Sequence, residues 1–437
     1  MYLSRVAIEN FRCLRRIEME LAPINVIYGE NGSGKSSVLE ALQLLKQAVG
    51  HQVTFRQGPF IQPLNFGSFR DLVFNNNEEK WISIEVWVKL TREEFRDNLV
   101  YSTPDDVSSI ISPIPREIGY KLSFRQTEEN QPVGIKQSLL ARETALVEVQ
   151  QILVKGQFKS FVSVPKRISA QQPSPTGNLR QVLAENAFHF QTSTKEAEET
   201  YNPVTRDFVR IIKRMISNYF LLRPTRATPR LVTGTSGTAT WVGIEGEQVV
   251  KVLSQIFGDV SWAQCRRDVV EWASRFGLEN LHAGYVSDNL LKASFKDPVM
   301  DANNNIVFAG HGSKQILVVL TQIFFSEPRS LIAIEEPEIS LHLDLQLELP
   351  KLFAKAKHLK KQVIVTSHSG DFLTAFKSLF SKSVKQRLTR QDLAVYHLRK
   401  TSKGSSIERR TVLADGRVKG FIPSIVKAEQ KLVSRTM

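Results

Sequence analysis

Hydrophobic and polar positions alternate over residues 2–9, with Leu3, Val6 and Ile8 on the apolar side, and predict a strand; residues 16–21 predict a second. Residues 24–28 form an apolar run that ends in glycine. Over 36–49 the apolar positions Val38, Leu39, Leu42, Leu44, Leu45 and Val49 fall at mixed three- and four-residue spacing, which predicts a helix. A strand, a glycine-rich turn and a helix thus follow one another. Between 81 and 165 the pattern changes to short alternating runs, at 81–88, 120–124, 145–149 and 158–164, as antiparallel strands exposed on one face would give. Residues 169–202 are polar and rich in Pro, Gln, Ser and Thr, broken by a short helical pattern at 179–183, and predict a linker or lid. Helical spacing returns at 207–220, through Phe208, Ile211, Ile212, Met215 and Ile216, and again at 248–257 and 268–276.

The last third alternates helix and buried strand: helix 315–325, strand 331–334, helix 341–356 and strand 362–366. Alternation at 393–398 and 406–412, around Lys400-Thr-Ser-Lys-Gly, predicts a hairpin. No sustained heptad and no internal repeat occurs. The fold class expected is α/β, with an antiparallel β subdomain and an inserted helical region. The expected divisions are an N-terminal lobe 1–75, a β-rich part 76–168, a linker and helical lid 169–300, a C-terminal lobe 301–380 and a basic hairpin and tail 381–437.

Composition narrows the class. With 42% hydrophobic and 23% charged residues in 437, the chain can bury an ordinary core. No apolar run approaches the roughly 18 residues a membrane span needs, and the first residues carry no signal-peptide pattern, so no membrane role is expected. Two cysteines, Cys13 and Cys265, allow neither a disulfide framework nor a cysteine zinc site, and a reducing, cytoplasmic compartment follows. The excess of 58 basic over 44 acidic residues gives +14, and from Asp371 onward 15 basic residues face 5 acidic ones. Such a surface suits DNA or an acidic partner; a solvated basic tail is the alternative.

Gly29-Glu-Asn-Gly-Ser-Gly-Lys-Ser36 fits the P-loop pattern of two glycines followed by Lys and Ser. In it Gly29, Asn31, Gly32, Ser33 and Gly34 turn backbone N–H groups toward ATP phosphates. Lys35 supplies a charge to the β- and γ-phosphates, Ser36 a hydroxyl to Mg2+, and Ser37 closes the set. The run Leu331-Ile-Ala-Ile-Glu335-Glu336 is a buried strand ending in two carboxylates: Glu335 near Mg2+, usually through water, and Glu336 to orient and polarise the attacking water. Val363-Ile-Val-Thr-Ser-His368 repeats the arrangement, with a histidine that can hydrogen-bond the γ-phosphate.

The order of P-loop, Glu335-Glu336-Pro337-Glu338, Leu341-His342 and Thr366-Ser367-His368 resembles the ABC-type ATPase heads of the SMC and RecF group. Within it the chain is most similar to prokaryotic ATPases related to the overcoming-lysogenization-defect (OLD) proteins, such as the ATPase subunits of the Septu and PARIS antiphage systems. Ile8-Glu-Asn-Phe-Arg12 and Gly67-Ser-Phe-Arg-Asp-Leu-Val73 are also similar to theirs, and Arg223-Pro-Thr-Arg226 and Val242-Gly-Ile-Glu-Gly-Glu247 loosely so. The resemblance implies a head-to-tail homodimer or higher oligomer with ATP sandwiched between subunits. It also implies a signature loop, for which Gly310-His-Gly312-Ser313-Lys314-Gln315 before a helix is the candidate; Ser313 or Lys314 would touch the γ-phosphate of the second subunit. A Q-loop glutamine near the metal is implied as well, and Gln62 is the nearest.

OLD nucleases carry a carboxylate-rich metal domain after the ATPase head. Here 69 residues follow His368, and their acidic members, Asp371, Asp392, Glu408, Asp415 and Glu429, form no pair. The chain is therefore expected to lack a nuclease centre and to control a separate effector, a nuclease by analogy with antiphage systems. The rival expectation is a RecF-like DNA-binding ATPase of repair or recombination. A transporter motor is disfavoured by the absent Leu-Ser-Gly-Gly-Gln wording. The basic 223–230 cluster is a candidate face for DNA or an acidic partner.

Overall fold

The computed structural model describes residues 1–50, 68–110, 115–126, 132–141, 144–154, 157–163, 203–226, 232–233, 238–287, 290–299, 301–368, 371–381 and 386–420. The chain divides into two compact units that alternate along it: 1–21, 32–219 and 398–407 form the first, and 22–31, 220–397 and 408–437 the second. Among the described residues no helix is long and apolar enough to cross a membrane.

The first unit is built on an antiparallel sheet. Its strands are β1 (Tyr2–Phe11), β2 (Leu14–Glu20), β4 (Ile82–Lys89), β5 (Glu117–Gln126), β6 (Pro132–Ala141), β7 (Thr144–Val154) and β8 (Gln157–Ser163), in the order β2-β1-β4-β5-β6-β7-β8. Period-two patterning sets its two faces. In β4, Ile82, Ile84, Val86 and Val88 are buried without exposure, while Glu85 and Trp87 point to the other face, which carries the Lys121–Glu85 and Lys136–Glu148 ion pairs. The helices α1 (Lys35–Gly50) and α2 (Pro203–Ser217) pack together through apolar faces that include Leu42, Leu45, Ile211 and Met215. At their junction Lys46 Nζ donates to Tyr219 O at 2.5 Å, and Tyr219 Oη donates to Leu39 O at 2.7 Å.

Strand β6 is absent from the alternating runs predicted above because its sequence is mixed, with Pro132, Gly134, Lys136 and Gln137. Its glycine is accommodated by a tryptophan: a Cβ on Gly134 would come within 2.6 Å of the Trp81 ring.

The sheet that matters for chemistry has its central strands β3, β15 and β14 in the second unit. β3 (Ile24–Tyr28), β9 (Tyr219–Leu222), β14 (Leu331–Glu335), β15 (Gln362–Ser367), β16 (Leu393–Thr401) and β17 (Gly404–Arg410) lie in the order β17-β16-β3-β15-β14-β9. β3 pairs in parallel with both β15 and β16, and β15 in parallel with β14. Every residue of β3, β14 and β15 is buried, as strands covered on both faces require. Helices α3 (Val249–Gly258), α4 (Ala263–Arg275), α5 (His311–Phe325) and α6 (Leu349–His358) contribute Leu253, Trp272, Leu317 and Phe353 to the same apolar cluster. A second sheet joins β10 (Val232–Thr233), β12 (Leu290–Asp297), β11 (Glu279–Ser287) and, beside β12, β13 (Ala302–Asn305).

Several elements differ from expectation. The helix predicted to reach 220 stops at Ser217, and Tyr219–Leu222 extends instead as strand β9. The single helix predicted over 341–356 is two, Leu343–Gln346 and α6, because Pro350 lies in the first turn of α6, where its missing N–H costs nothing, but could not sit inside a continuous helix. The stretch expected to be helical before 300 also contributes β11 and β12, whose polar residues hide the alternation. The linker 169–202, with its helical pattern at 179–183, lies outside the described residues.

Candidate active site

Parallel strands deliver their carboxyl ends to one edge, and in open α/β sheets that edge forms the binding crevice. β3 leads into Gly29, whose N–H donates to Ser367 O at 3.4 Å. β15 leads into His368, and β14 ends at Glu335 and leads into Glu336, whose N–H donates to Thr366 O at 2.9 Å. Sequence segments more than 300 positions apart thus converge at the second unit's sheet edge. There the Glu336 carboxylate meets His368 Nε2 in direct contact, with the side chains 20% and 42% exposed. The Glu336 backbone is left-handed, at φ 46°, a conformation that costs an L-residue about 1–2 kcal/mol.

The glycine-rich loop leaves this edge exposed at Asn31 and continues into the first unit. Gly34 has φ +102°, and a Cβ there would come within 2.7 Å of Cys13 Sγ, 3.0 Å of Leu14 and 3.1 Å of Ser405. Only glycine fits. Val38 N donates to Gly34 O at 3.2 Å as α1 begins. Lys35 is 6% exposed, Ser33 and Ser37 are buried, and Ser36 and Gly32 are exposed. Ser33 Oγ has no hydrogen-bond partner among the described residues, the kind of buried polar atom a bound group can satisfy. A hydroxyl on Ser36 and a carboxylate on Glu335 are hard oxygen donors, the type Mg2+ prefers.

Behind the two carboxylates lies a group of residues whose joint arrangement the sequence does not reveal. Arg226, 4% exposed, donates through Nη1 to Gln315 Oε1 at 3.1 Å and through Nη2 to Glu335 O at 2.6 Å. Gln315 Nε2 returns a bond to Arg226 O at 3.3 Å. Burial pulls the guanidinium down to about 10, opposed by Glu338, Glu335 and Glu336. Glu338 accepts from Ser367 Oγ, and burial pushes its carboxyl above the usual carboxylate range. In sequence Arg226 belongs to a basic cluster expected to face DNA or an acidic partner, and to the Arg223-Pro-Thr-Arg226 run. Buried as it is, it faces neither. The faint signal for it was the Arg223-Pro-Thr-Arg226 wording itself.

Helix α5 begins at His311 and not at the predicted 315, so the glycine segment opens it: Gly310 is the N-cap, and Ser313 and Lys314 fall in the first turn. Ser313 Oγ donates to Phe276 O at 3.0 Å, and Lys314 Nζ to Val307 O at 3.2 Å. Gly312 is packed so tightly that a Cβ would lie 2.4 Å from Ser340 O. Gln62 lies outside the described residues, as do Gly67 and Arg230.

The family model described as AAA ATPase domain matches residues 1–138 and 71–373. The DNA replication and repair protein RecF of Haemophilus ducreyi is 51% identical over 57 residues, 13% of this chain and 15% of that protein. The OLD nuclease of Thermus scotoductus is 44% identical over 43 residues, 10% of this chain and 8% of its own. The matched segments therefore span less than a sixth of these relatives. Two solved structures also align: the SMC head domain of Thermotoga maritima, at 11% identity and TM-score 0.41 over 93% of this chain and 98% of that one, and the Smc head domain of Pyrococcus furiosus bound to the C-terminal domain of ScpA, at 11% and 0.45 over the whole of both.

Proposed function

The chain belongs to the AAA ATPase domain family, and from that membership we propose that it binds and hydrolyses ATP as an ABC-type nucleotide switch. The observation that carries this is the meeting of Glu336 with His368 at the carboxyl edge of β14 and β15, next to the strand that feeds the glycine-rich loop. Loop N–H groups and Lys35 would hold the phosphates, and Ser36 and Glu335 would hold Mg2+, which when bound neutralises phosphate charge. Glu336 accepts the proton of the attacking water as its oxygen displaces ADP from the γ-phosphorus. His368, tied to Glu336, hydrogen-bonds the γ-phosphate and so registers its loss.

Two copies close around two nucleotides, with Ser313 or Lys314 of each addressing the γ-phosphate held by the other, and hydrolysis reopens them. The homodimer acts on a separate effector, a nuclease, in prokaryotic antiphage defence in the cytoplasm. The short OLD similarity supports this. Lys35→Ala is expected to lose ATP binding. Glu336→Gln is expected to bind ATP, to hydrolyse it slower by about two to four orders of magnitude, and to accumulate as a dimer in mass photometry with ATP and Mg2+. Turnover at the wild-type rate would overturn the role of Glu336, and an unchanged mass would overturn the ATP-driven dimer.

A second reading is a DNA-binding ATPase of repair or recombination. The RecF similarity favours it, as do the exposed Arg399, Lys400 and Lys403 around the β16–β17 turn. A DNA affinity that falls steeply with salt, and that Lys400→Glu with Lys403→Glu abolishes, would select it.

A further inference from the structure

The peptide unit between Glu335 and Glu336 is held at both ends. Its carbonyl oxygen accepts from Arg226 Nη2 at 2.6 Å, and its N–H donates to Thr366 O at 2.9 Å. Immediately after it the backbone turns left-handed at Glu336, φ 46°, and from that turn the carboxylate reaches His368. A strained residue persists only where its surroundings over-determine it; here Thr366 and Arg226 hold the preceding peptide, and the Ile339 N–H donates to the Glu336 carbonyl at 3.1 Å.

That arginine has a second attachment. Its other terminal nitrogen donates to Gln315 Oε1 at 3.1 Å, and the amide of Gln315 donates back to the Arg226 carbonyl at 3.3 Å. Gln315 is the fifth residue of α5, directly after Ser313 and Lys314. The guanidinium is planar and cannot deform, so a shift of the first turns of α5 moves both of its bonds together. A buried arginine also tolerates little loss of compensation, and its Nε has no hydrogen-bond partner among the described residues.

We propose that Arg226 is a positioning residue that couples the first turns of α5 to Glu336: it keeps the Glu335–Glu336 peptide in the geometry that aims the Glu336 carboxylate, and through Gln315 it transmits to that peptide the seating of the α5 N-terminus on nucleotide held by a second copy. The transmission rests on the dimer proposed above; the anchoring of the peptide stands on the contacts within one chain. ATP binding as such uses other groups, so the coupling belongs to turnover and not to affinity.

The test compares Arg226→Ala, Arg226→Lys and Gln315→Ala with the wild type for kcat, KM and equilibrium ATP affinity, and repeats each substitution in a Glu336→Gln background for ATP-dependent dimerisation. Arg226→Ala is expected to lower kcat about 10²-fold, as a misplacement of about 1 Å can, with KM and ATP affinity held within about threefold. Arg226→Lys restores part of kcat, because an ammonium reaches one of the two acceptors but cannot fork to both. Gln315→Ala lowers kcat in the same way and carries the test should Arg226→Ala fail to fold. Values of kcat within about twofold of wild type for the folded variants would overturn the coupling, as would a parallel loss of kcat and ATP affinity, which a merely structural role would give. A Glu336→Gln protein that stays monomeric with ATP overturns the dimer reading and the transmission with it; normal dimerisation with unaltered kcat in Arg226→Ala overturns the coupling alone.

Discussion

Gly34 and Glu336 both sit at positive φ, but for opposite reasons. At Gly34 the chain needs a backbone that no side chain could follow, since three neighbours close the space where a Cβ would be. At Glu336 the left-handed turn carries a side chain, and its carboxylate meets His368. Gly34→Ala should therefore lower stability by about 1–3 kcal/mol and weaken ATP binding, read by thermal melting and nucleotide titration. Removing the closest obstacle with Cys13→Ala should recover only part of the loss, because the φ of +102° remains. Lys35, Glu336 and His368 could be put forward from sequence because each sits in a short motif whose letters imply a chemistry. The role of Arg226 could not. Its partners lie on β14 and α5, roughly a hundred positions away, and nothing beside it in the sequence marks them.

At the scale of elements, α5 is capped at both ends by particular groups. Gly310 opens it, and Lys361 closes it, donating through Nζ to Ile323 O and to Phe324 O at 3.2 Å. Burial lowers the Lys361 ammonium from 10.5 to about 8. Between about pH 8 and 10.5 the unfolded chain then binds more protons at this site than the folded one, so this contribution to stability grows as pH rises through that window, and the penalty of burying the charge is fully present below it. Urea melts across the window should show stability of wild type rising more steeply with pH than that of Lys361→Met, which has no proton to lose there. The strands β3, β14 and β15 could be read directly, because burial on both faces writes an uninterrupted apolar run. β13, whose sequence is Ala-Asn-Asn-Asn, could not, because pairing with β12 and not burial holds it in place. The helix over 341–356 misled for a related reason: the apolar spacing persists through Pro350, and only the missing N–H decides the break.

On the scale of the whole molecule, the division of the chain into units was the least legible feature. Composition and pattern shifts suggested five consecutive stretches, whereas the two compact units each draw on separated segments. Periodicity reports what a strand buries, not which distant strand lies beside it. β3 is the sharpest instance. Among the described residues its ladder partners are β15 and β16, and Asn25 Nδ2 donates to the carbonyl of Val363, 338 positions later. On a ribosome adding about 5–20 residues per second, this strand emerges and then waits roughly 20–70 s before its first partner exists. Throughout that interval an apolar strand with two open edges is exposed in the nascent chain. Chains arrested before Gln362 should accordingly remain protease-sensitive around Ile24–Tyr28 and stay bound to holdase chaperones, while chains arrested well beyond Thr401 should become protected; early protection would mean that β3 finds a temporary partner elsewhere. Synthesis of this protein is thus a timed exposure, in which the segment leading into its glycine-rich loop is made more than 300 residues before the strands that shelter it.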